Sequence, residues 1–460
     1  MVPFGPNLYK MSLRELDPCF GTSAISNMIV AFSLLVSLIA LSPLFLLADT
    51  PIVHGIVAAY TAATIIIVAW SIRPGEADHL SKLVRRVSIL AAIPAVWILI
   101  QVLPLPIAGL QHPIWTSAQA ALEQPIIGSI SISPGATLVS LGRYLSAYGI
   151  FFIATAVTID RRRAEVILLL ATTLSVLIAA VLFVHNLGGY FFLGEISSTG
   201  PRAAIAAATL LGTVLTMATM SYALERYETR RSKADFTRSV LIIAASLFGA
   251  IVCWLSVVLF MPNAAIFAAG CGVGTFILIF GFRRLGLGPR TGLTIAAIAV
   301  AVAISIVAGS AIVDKSNLAL RYSVDTPKIL AAITQRIIAD TGWLGSGAGS
   351  FTALLPIYQN TADLFIASKA PTTASGLLIE FGLSALCLIF IMAMAVIAWL
   401  LQGAFRRGRD SFFSAASASC AVVLLIETFF DASISESGVM VIAATLLGLG
   451  LSQSVSRTSR

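Results

Sequence analysis

Residues 144–186 read YLSAYGIFFIATAVTIDRRRAEVILLLATTLSVLIAAVLFVHN. Two apolar runs, 144–159 and 164–186, meet at Asp160, Arg161, Arg162 and Arg163. In a single continuous helix those three arginines would lie in hydrocarbon, where each costs about 2.5–3.5 kcal/mol at the centre of a span. The chain therefore turns here, with its guanidinium groups at a membrane surface. Lipid offers backbone N–H and C=O groups no partner, so crossing segments are helices or a closed barrel. Barrel strands are short and alternate in polarity. These runs are long and continuously apolar, so the reading is helical.

The same pattern extends in both directions. Of 460 residues, 58% are hydrophobic and 11% charged. A soluble domain carries about a quarter charged, so lipid must cover most of this surface. Spans are expected near 24–48, 52–71, 88–108, 144–159, 164–186, 202–223, 239–260, 262–282, 291–312, 376–401, 411–430 and 434–453. The first run exceeds a signal-sequence core of about 7–15 residues and leads straight into a second, so it reads as a retained helix. With both termini cytoplasmic, the 29 basic residues divide into 22 on inner segments and 7 on outer ones, every second loop being basic. This agreement with the positive-inside bias supports about twelve spans in a bacterial inner membrane. The same bias accounts for the net charge of +8, so nucleic acid is not an expected partner.

The expected fold is an all-α polytopic membrane protein. Residues 1–312 form an N-terminal membrane region of about nine spans, 313–375 a large, partly helical outer loop, and 376–460 a C-terminal region of about three spans. Within the loop, Asp325 or Thr326 suits a helix cap and Pro327 a first turn. Ile329, Ile333 and Ile337 recur at helical spacing, with Arg336 nearly on the face of Ile329. A second outer segment, 109–143, is bordered by prolines and is expected to hold short interfacial elements. Cys19, Cys253, Cys271, Cys387 and Cys420 have no metal-site spacing and read as small apolar residues. No metal or cofactor is called for.

The seven outer cations are Arg143, Arg202, Lys315, Arg321, Lys328, Arg336 and Lys369. They run against the membrane bias, and several have two readings. Arg336 pairs with Asp340, and Arg321 with Asp325, at i,i+4, or they bind a ligand. Arg202 snorkels to headgroups or meets an anionic substrate. Arg143, in Gly142-Arg143-Tyr144, reads as an interface marker. Glu380 and Glu427 are the outer-facing carboxylates within apolar runs, and ionisable groups there are functional candidates.

The stretch Asp340–Gly382, DTGWLGSGAGSFTALLPIYQNTADLFIASKAPTTASGLLIEFG, resembles the carboxy-terminal signature of the O-antigen ligase and Wzy-type polymerase family. The shared features are the glycine turn Gly345, Gly347, Gly349 and Phe351, the span opening Leu377–Gly382 with Glu380, and the position of the large loop. Segments 102–119 and 131–147 resemble the family before its fourth span. The family's His-Asn element falls on Pro371 and Thr372, with Lys369 close by. The histidines, His54, His79, His112 and His185, lie outside the large loop; His185, before Gly188-Gly189, is the only one expected to face outward near a span end, and it reads first as an interfacial histidine and second as a substitute base. The resemblance implies a glycosyltransferase-type ligase or polymerase. Its donor would be a polyprenyl-diphosphate-linked glycan and its acceptor a glycan or lipid. It also implies that Arg202, Arg321, Arg336 and Lys369 bind the diphosphate, with Glu380 or Glu427 as catalytic carboxylate. A relative that binds a lipid-linked glycan, or aids polysaccharide export, without catalysis is the alternative.

Overall fold

The computed structural model describes residues 18–72, 74–104, 111–188, 199–228, 233–284, 320, 323, 326–359, 369–406 and 410–454. The expected span 291–312, together with Lys315, Arg321 and Asp325, lies outside them.

The described regular elements are all helical. In order they are α1 (Pro18–Leu47), α2 (Pro51–Ser71), α3 (Pro74–Val102), α4 (Ile114–Leu122), α5 (Pro134–Val157), α6 (Arg161–Asn186), α7 (Thr199–Glu228), α8 (Lys233–Phe260), α9 (Asn263–Arg284), α10 (Lys328–Asp340), α11 (Phe351–Tyr358), α12 (Thr373–Arg406), α13 (Ser411–Glu427) and α14 (Ser437–Ser454), with a 3₁₀ turn at Ser433–Ser435 before α14. Among the described residues nine helices are long and apolar enough to cross a membrane, and Val87–Val102 and Ser411–Glu427 are shorter apolar helices. Apolar side chains such as Ile52, Trp70, Leu241 and Phe248 stand on the surface at 67–78% exposure. Water disfavours such a surface and lipid does not, so the protein is membrane-embedded.

α7 and α14 are the most enclosed spans. Both are rich in small residues, which let helix backbones approach closely where lipid supplies no hydrophobic drive. Gly448 of α14 shows the effect: a Cβ there would sit 2.7 Å from the Phe151 carbonyl oxygen of α5. The α1–α2 turn at Asp49–Thr50 marks one end of the bundle, termed upper. The α5–α6 turn at Asp160 marks the lower end. At the lower end Asp160 caps α6 by accepting from the Arg162 N–H. Arg161 pairs with Glu165 at 3.0 Å and with Asp410 at 2.9 Å. The turn forced by the arginine run is thereby tied to the start of α13.

Three local expectations change. α5 begins at Pro134, ten residues before the expected apolar boundary at Tyr144, with proline at its first position. A hydropathy boundary stops at Arg143, whereas backbone hydrogen bonding continues past it. On α10 the buried face is Leu330, Ile333, Thr334, Ile337 and Ile338. Ile329 is 47% exposed and shares the exposed side with Arg336. The third change lies in α12, where Gly382 has φ 83° and ψ 168°. That conformation is essentially restricted to glycine, and it breaks the span into two helical pieces.

Candidate functional site

At the upper end the glycine turn packs on the break in α12. Gly345, Gly347 and Gly349 all have positive φ, at 75°, 102° and 73°. A Cβ at Gly345 would lie 2.4 Å from the Glu380 carbonyl oxygen, and one at Gly347 2.4 Å from the Ser131 hydroxyl. Only glycine meets both demands, the left-handed backbone and the close approach. The Ser346 N–H donates to the Ile379 carbonyl at 2.9 Å and the Gly347 N–H to the Glu380 carbonyl at 3.0 Å. These bonds occupy carbonyls that the interrupted helix leaves without intrahelical partners.

Gln101, at the end of α3 and wholly buried, joins three strands of chain. Its amide donates to the Glu380 carbonyl at 2.9 Å and to the Leu344 carbonyl at 3.3 Å, while its oxygen accepts from the Ala348 N–H at 3.1 Å. The Ser131 N–H donates to the Gln101 carbonyl, and the Ile132 N–H to the Ser346 carbonyl. The two segments expected to be outer, 109–143 and 313–375, thus meet on α3 and α12.

Alternating glycines of this kind aim successive N–H groups into a concavity that suits an anion. Here the acceptor is internal: the Glu380 carboxyl group accepts from the N–H groups of Gly349 and Phe351, with Arg143 close by. Ser350, between those two donors, is fully buried with no partner for its hydroxyl among the described residues.

Arg143 connects this turn to a second cluster. Its guanidinium donates to the Ser435 carbonyl and lies 3.9 Å from Asp49 Oδ2. Asp49 Oδ1 is 2.7 Å from His54 Nε2 and accepts from the Ser437 hydroxyl at 2.7 Å. Asp49 Oδ2 pairs with Lys369, which also holds Glu436 Oε1 at 2.7 Å. Five elements therefore meet: the α1–α2 turn, α2, α5, the segment before α12, and the start of α14. Burial alone would raise the Asp49 pKa. The hydrogen bond from His54, the charge and hydrogen bond of Lys369, and the Ser437 hydroxyl together bring it well below the ordinary carboxylate range. Glu436 goes the other way: burial pushes it up, Lys369 offsets part of that, and the neighbouring Asp49 adds to it. Asp49, with more donors, holds the stronger claim on the shared ammonium.

The expected site residues separate. Lys369 joins the cluster, but as the cation between two carboxylates. Glu380 is half-buried on the glycine turn. Glu427 is 2% exposed at the end of α13, and its Oε2 has no partner among the described residues. Arg202, near the start of α7, and Arg336, on α10, are exposed and form no ion pair among the described residues. The expected Arg336–Asp340 pair is not made: Asp340 accepts from the Tyr358 hydroxyl instead. Arg321 is outside the described residues. The Pro371-Thr372 element immediately precedes α12. Thr372 Oγ1 accepts from the Ser375 N–H at 3.0 Å, and Ser375 Oγ accepts from the Thr372 N–H at 3.1 Å, a reciprocal cap.

Asp49, His54 and Glu436 were not singled out by sequence, and Arg143 was read as an interface marker. One signal was available: Asp49 lies in the three-residue turn between α1 and α2 and His54 in the first turn of α2, so both belong to the upper end. His185 is therefore not the only histidine at an upper span end. No known family matches the chain, and no curated protein matches it.

Proposed function

We propose that this protein transfers or polymerises polyprenyl-diphosphate-linked glycans in cell-surface polysaccharide assembly. It would do so at the outer leaflet of a bacterial inner membrane, as about twelve spans with both termini cytoplasmic. The basic residues support the sidedness, since Arg161–Arg163, Arg226 and Arg406 all belong to the lower end. The resemblance of residues 340–382 to the ligase and polymerase signature supports the chemistry. The observation that carries the reading is the upper-end surface itself. A glycine turn, a fixed carboxylate at Glu380, and the cations Arg143 and Lys369 are gathered where the headgroup of a lipid-linked donor would lie.

In this function the diphosphate leaves the anomeric carbon as an acceptor hydroxyl attacks. Cations fixed in advance stabilise the charge that develops on the leaving group, and arginine suits this because its planar fork matches phosphate oxygens and stays charged. Arg336 and Arg202, free of protein carboxylates among the described residues, are the available phosphate ligands, with Arg321 in the same large loop as Arg336. Arg143 and Lys369 are already engaged, so a diphosphate meets them by sharing or displacing Asp49 and Glu436. Replacing Arg336 or Arg321 by alanine is expected to abolish glycan transfer while membrane abundance stays at the wild-type level. Unchanged glycan products in both variants would remove the proposed phosphate site.

A second reading has one observation in its favour. Pro371 and Thr372 stand where the family carries its His-Asn pair, and Thr372 caps a helix, so this chain could bind a lipid-linked glycan without turning it over. Transfer from a purified polyprenyl-diphosphate donor in vitro separates the two readings.

A further inference from the structure

Glycan transfer to a hydroxyl releases a proton. Glu380 is poorly placed to take it, because its carboxylate is engaged by two backbone N–H groups, and Glu427 is enclosed at 2% exposure. The geometry points to His54, oriented by Asp49, as the group that accepts the proton of the attacking hydroxyl in the transfer proposed above, an assignment that rests on that function. His54 Nε2 is 2.7 Å from Asp49 Oδ1, while Nδ1 has no hydrogen-bond partner among the described residues. With Nε2 donating to the carboxylate, Nδ1 carries the free lone pair. Imidazole is the side chain whose ordinary pKa lies nearest neutrality, so it can both take and release a proton there.

The surroundings suit the task. Asp49 is held ionised, well below the usual range, by the partners that outweigh its burial, so an imidazolium formed at His54 gains a fixed counter-charge. The other oxygen of the same carboxylate pairs with Lys369 and lies 3.9 Å from Arg143. One carboxylate thus links the proton acceptor to two cations suited to a departing diphosphate. The charged groups around His54 are Asp49 on the α1–α2 turn, Arg143 on α5, Lys369 before α12, and Glu436 before α14. A purely structural tie does not need an imidazole, because Asp49 already joins Ser437 and Lys369 and an amide could make the same bond.

In the step, the acceptor oxygen bonds to the anomeric carbon as the bond from that carbon to the phosphate oxygen breaks. The electron pair leaves with the diphosphate. The hydroxyl proton passes to Nδ1, and the imidazolium then returns it to water.

The test uses the full-length protein in lipid vesicles. Lipid-linked glycan extracted from cells lacking this protein serves as donor, and total lipid from those cells as acceptor. His54→Gln and His54→Asn are expected to lower the turnover rate roughly 100- to 1,000-fold, with labelling by a photoreactive polyprenyl diphosphate unchanged. The wild-type rate should fall in acid, as the proton acceptor is lost, and both variants should lack that limb. Asp49→Asn, at a positioning residue, should move that limb to lower pH because the imidazolium loses its counter-charge. Variants that turn over at the wild-type rate with the same pH profile overturn the assignment alone. So does loss of photolabelling in both His54 variants, which makes His54 a structural tie. A wild-type protein that consumes no donor overturns the transfer function and this assignment with it.

Discussion

At the scale of single residues, the upper end depends on positions where one atom decides. Gly382 combines a glycine-only backbone with contact so close that a Cβ would lie 2.1 Å from the Trp343 carbonyl oxygen. Gly382→Ala is expected to destabilise the protein by about 3 kcal/mol or more, since the backbone strain alone is worth roughly 1–3 kcal/mol and the clash adds to it. A lowered unfolding midpoint in detergent would register this, and an unchanged midpoint would mean that the break in α12 is not maintained. The glycine turn was legible in the sequence because its demands are local: alternate glycines announce a left-handed backbone whatever surrounds them. The Thr372-x-x-Ser375 cap was equally local, yet it stood under a position that the family resemblance marks for a different role. The partners of Arg143 were not legible, because Asp49, Lys369 and Ser435 come from other parts of the chain and each reads alone as an ordinary loop residue.

At the scale of elements, Lys369 matters through what it joins. Its ammonium is the common partner of Asp49 and Glu436, whose side chains are 9% and 3% exposed. Lys369→Met would leave two enclosed carboxylates short of a cation, a loss of about 3 kcal/mol by analogy with other broken buried pairs. Adding Asp49→Asn and Glu436→Gln to that variant should recover most of the loss, because the uncompensated charge is removed with the cation. Unfolding midpoints of the single and triple variants decide it: a triple variant no more stable than the single one would show that Lys369 acts through packing. The helices themselves followed from apolar runs, but their ends did not. α5 extends to Pro134 and carries Arg143 inside it, since a paired arginine can be tolerated within a helix that a hydropathy boundary would end.

At the scale of the whole molecule, the functional reading requires the upper end to face outward. Thr352 on α11 and Arg162 at the lower turn are both exposed, so they report the two sides. In a chain whose own cysteines are replaced by alanine, Thr352→Cys should react with an impermeant maleimide in intact cells, and Arg162→Cys only after the cells are opened. The reverse pattern would turn the molecule over and leave the proposed site without a lipid-linked donor. The expectation of this orientation comes from the alternation of basic loops, which depends only on counts along the chain. What gathers at either end depends on which helices become neighbours, and apolar runs of similar composition carry little record of that.

The interruption in α12 also sets a depth. Thirty-four unbroken helical residues would measure about 51 Å, well beyond the roughly 30 Å of bilayer hydrocarbon. The piece after Gly382 is alone sufficient to cross, at about 36 Å. The first turns of α12, with Glu380 and the loop seated against them, are then free to stand at the level of the phosphates of the surrounding lipids. A substrate anchored by a long prenyl tail would present its own phosphates at that same level, and so could arrive by sliding sideways within the leaflet without leaving it.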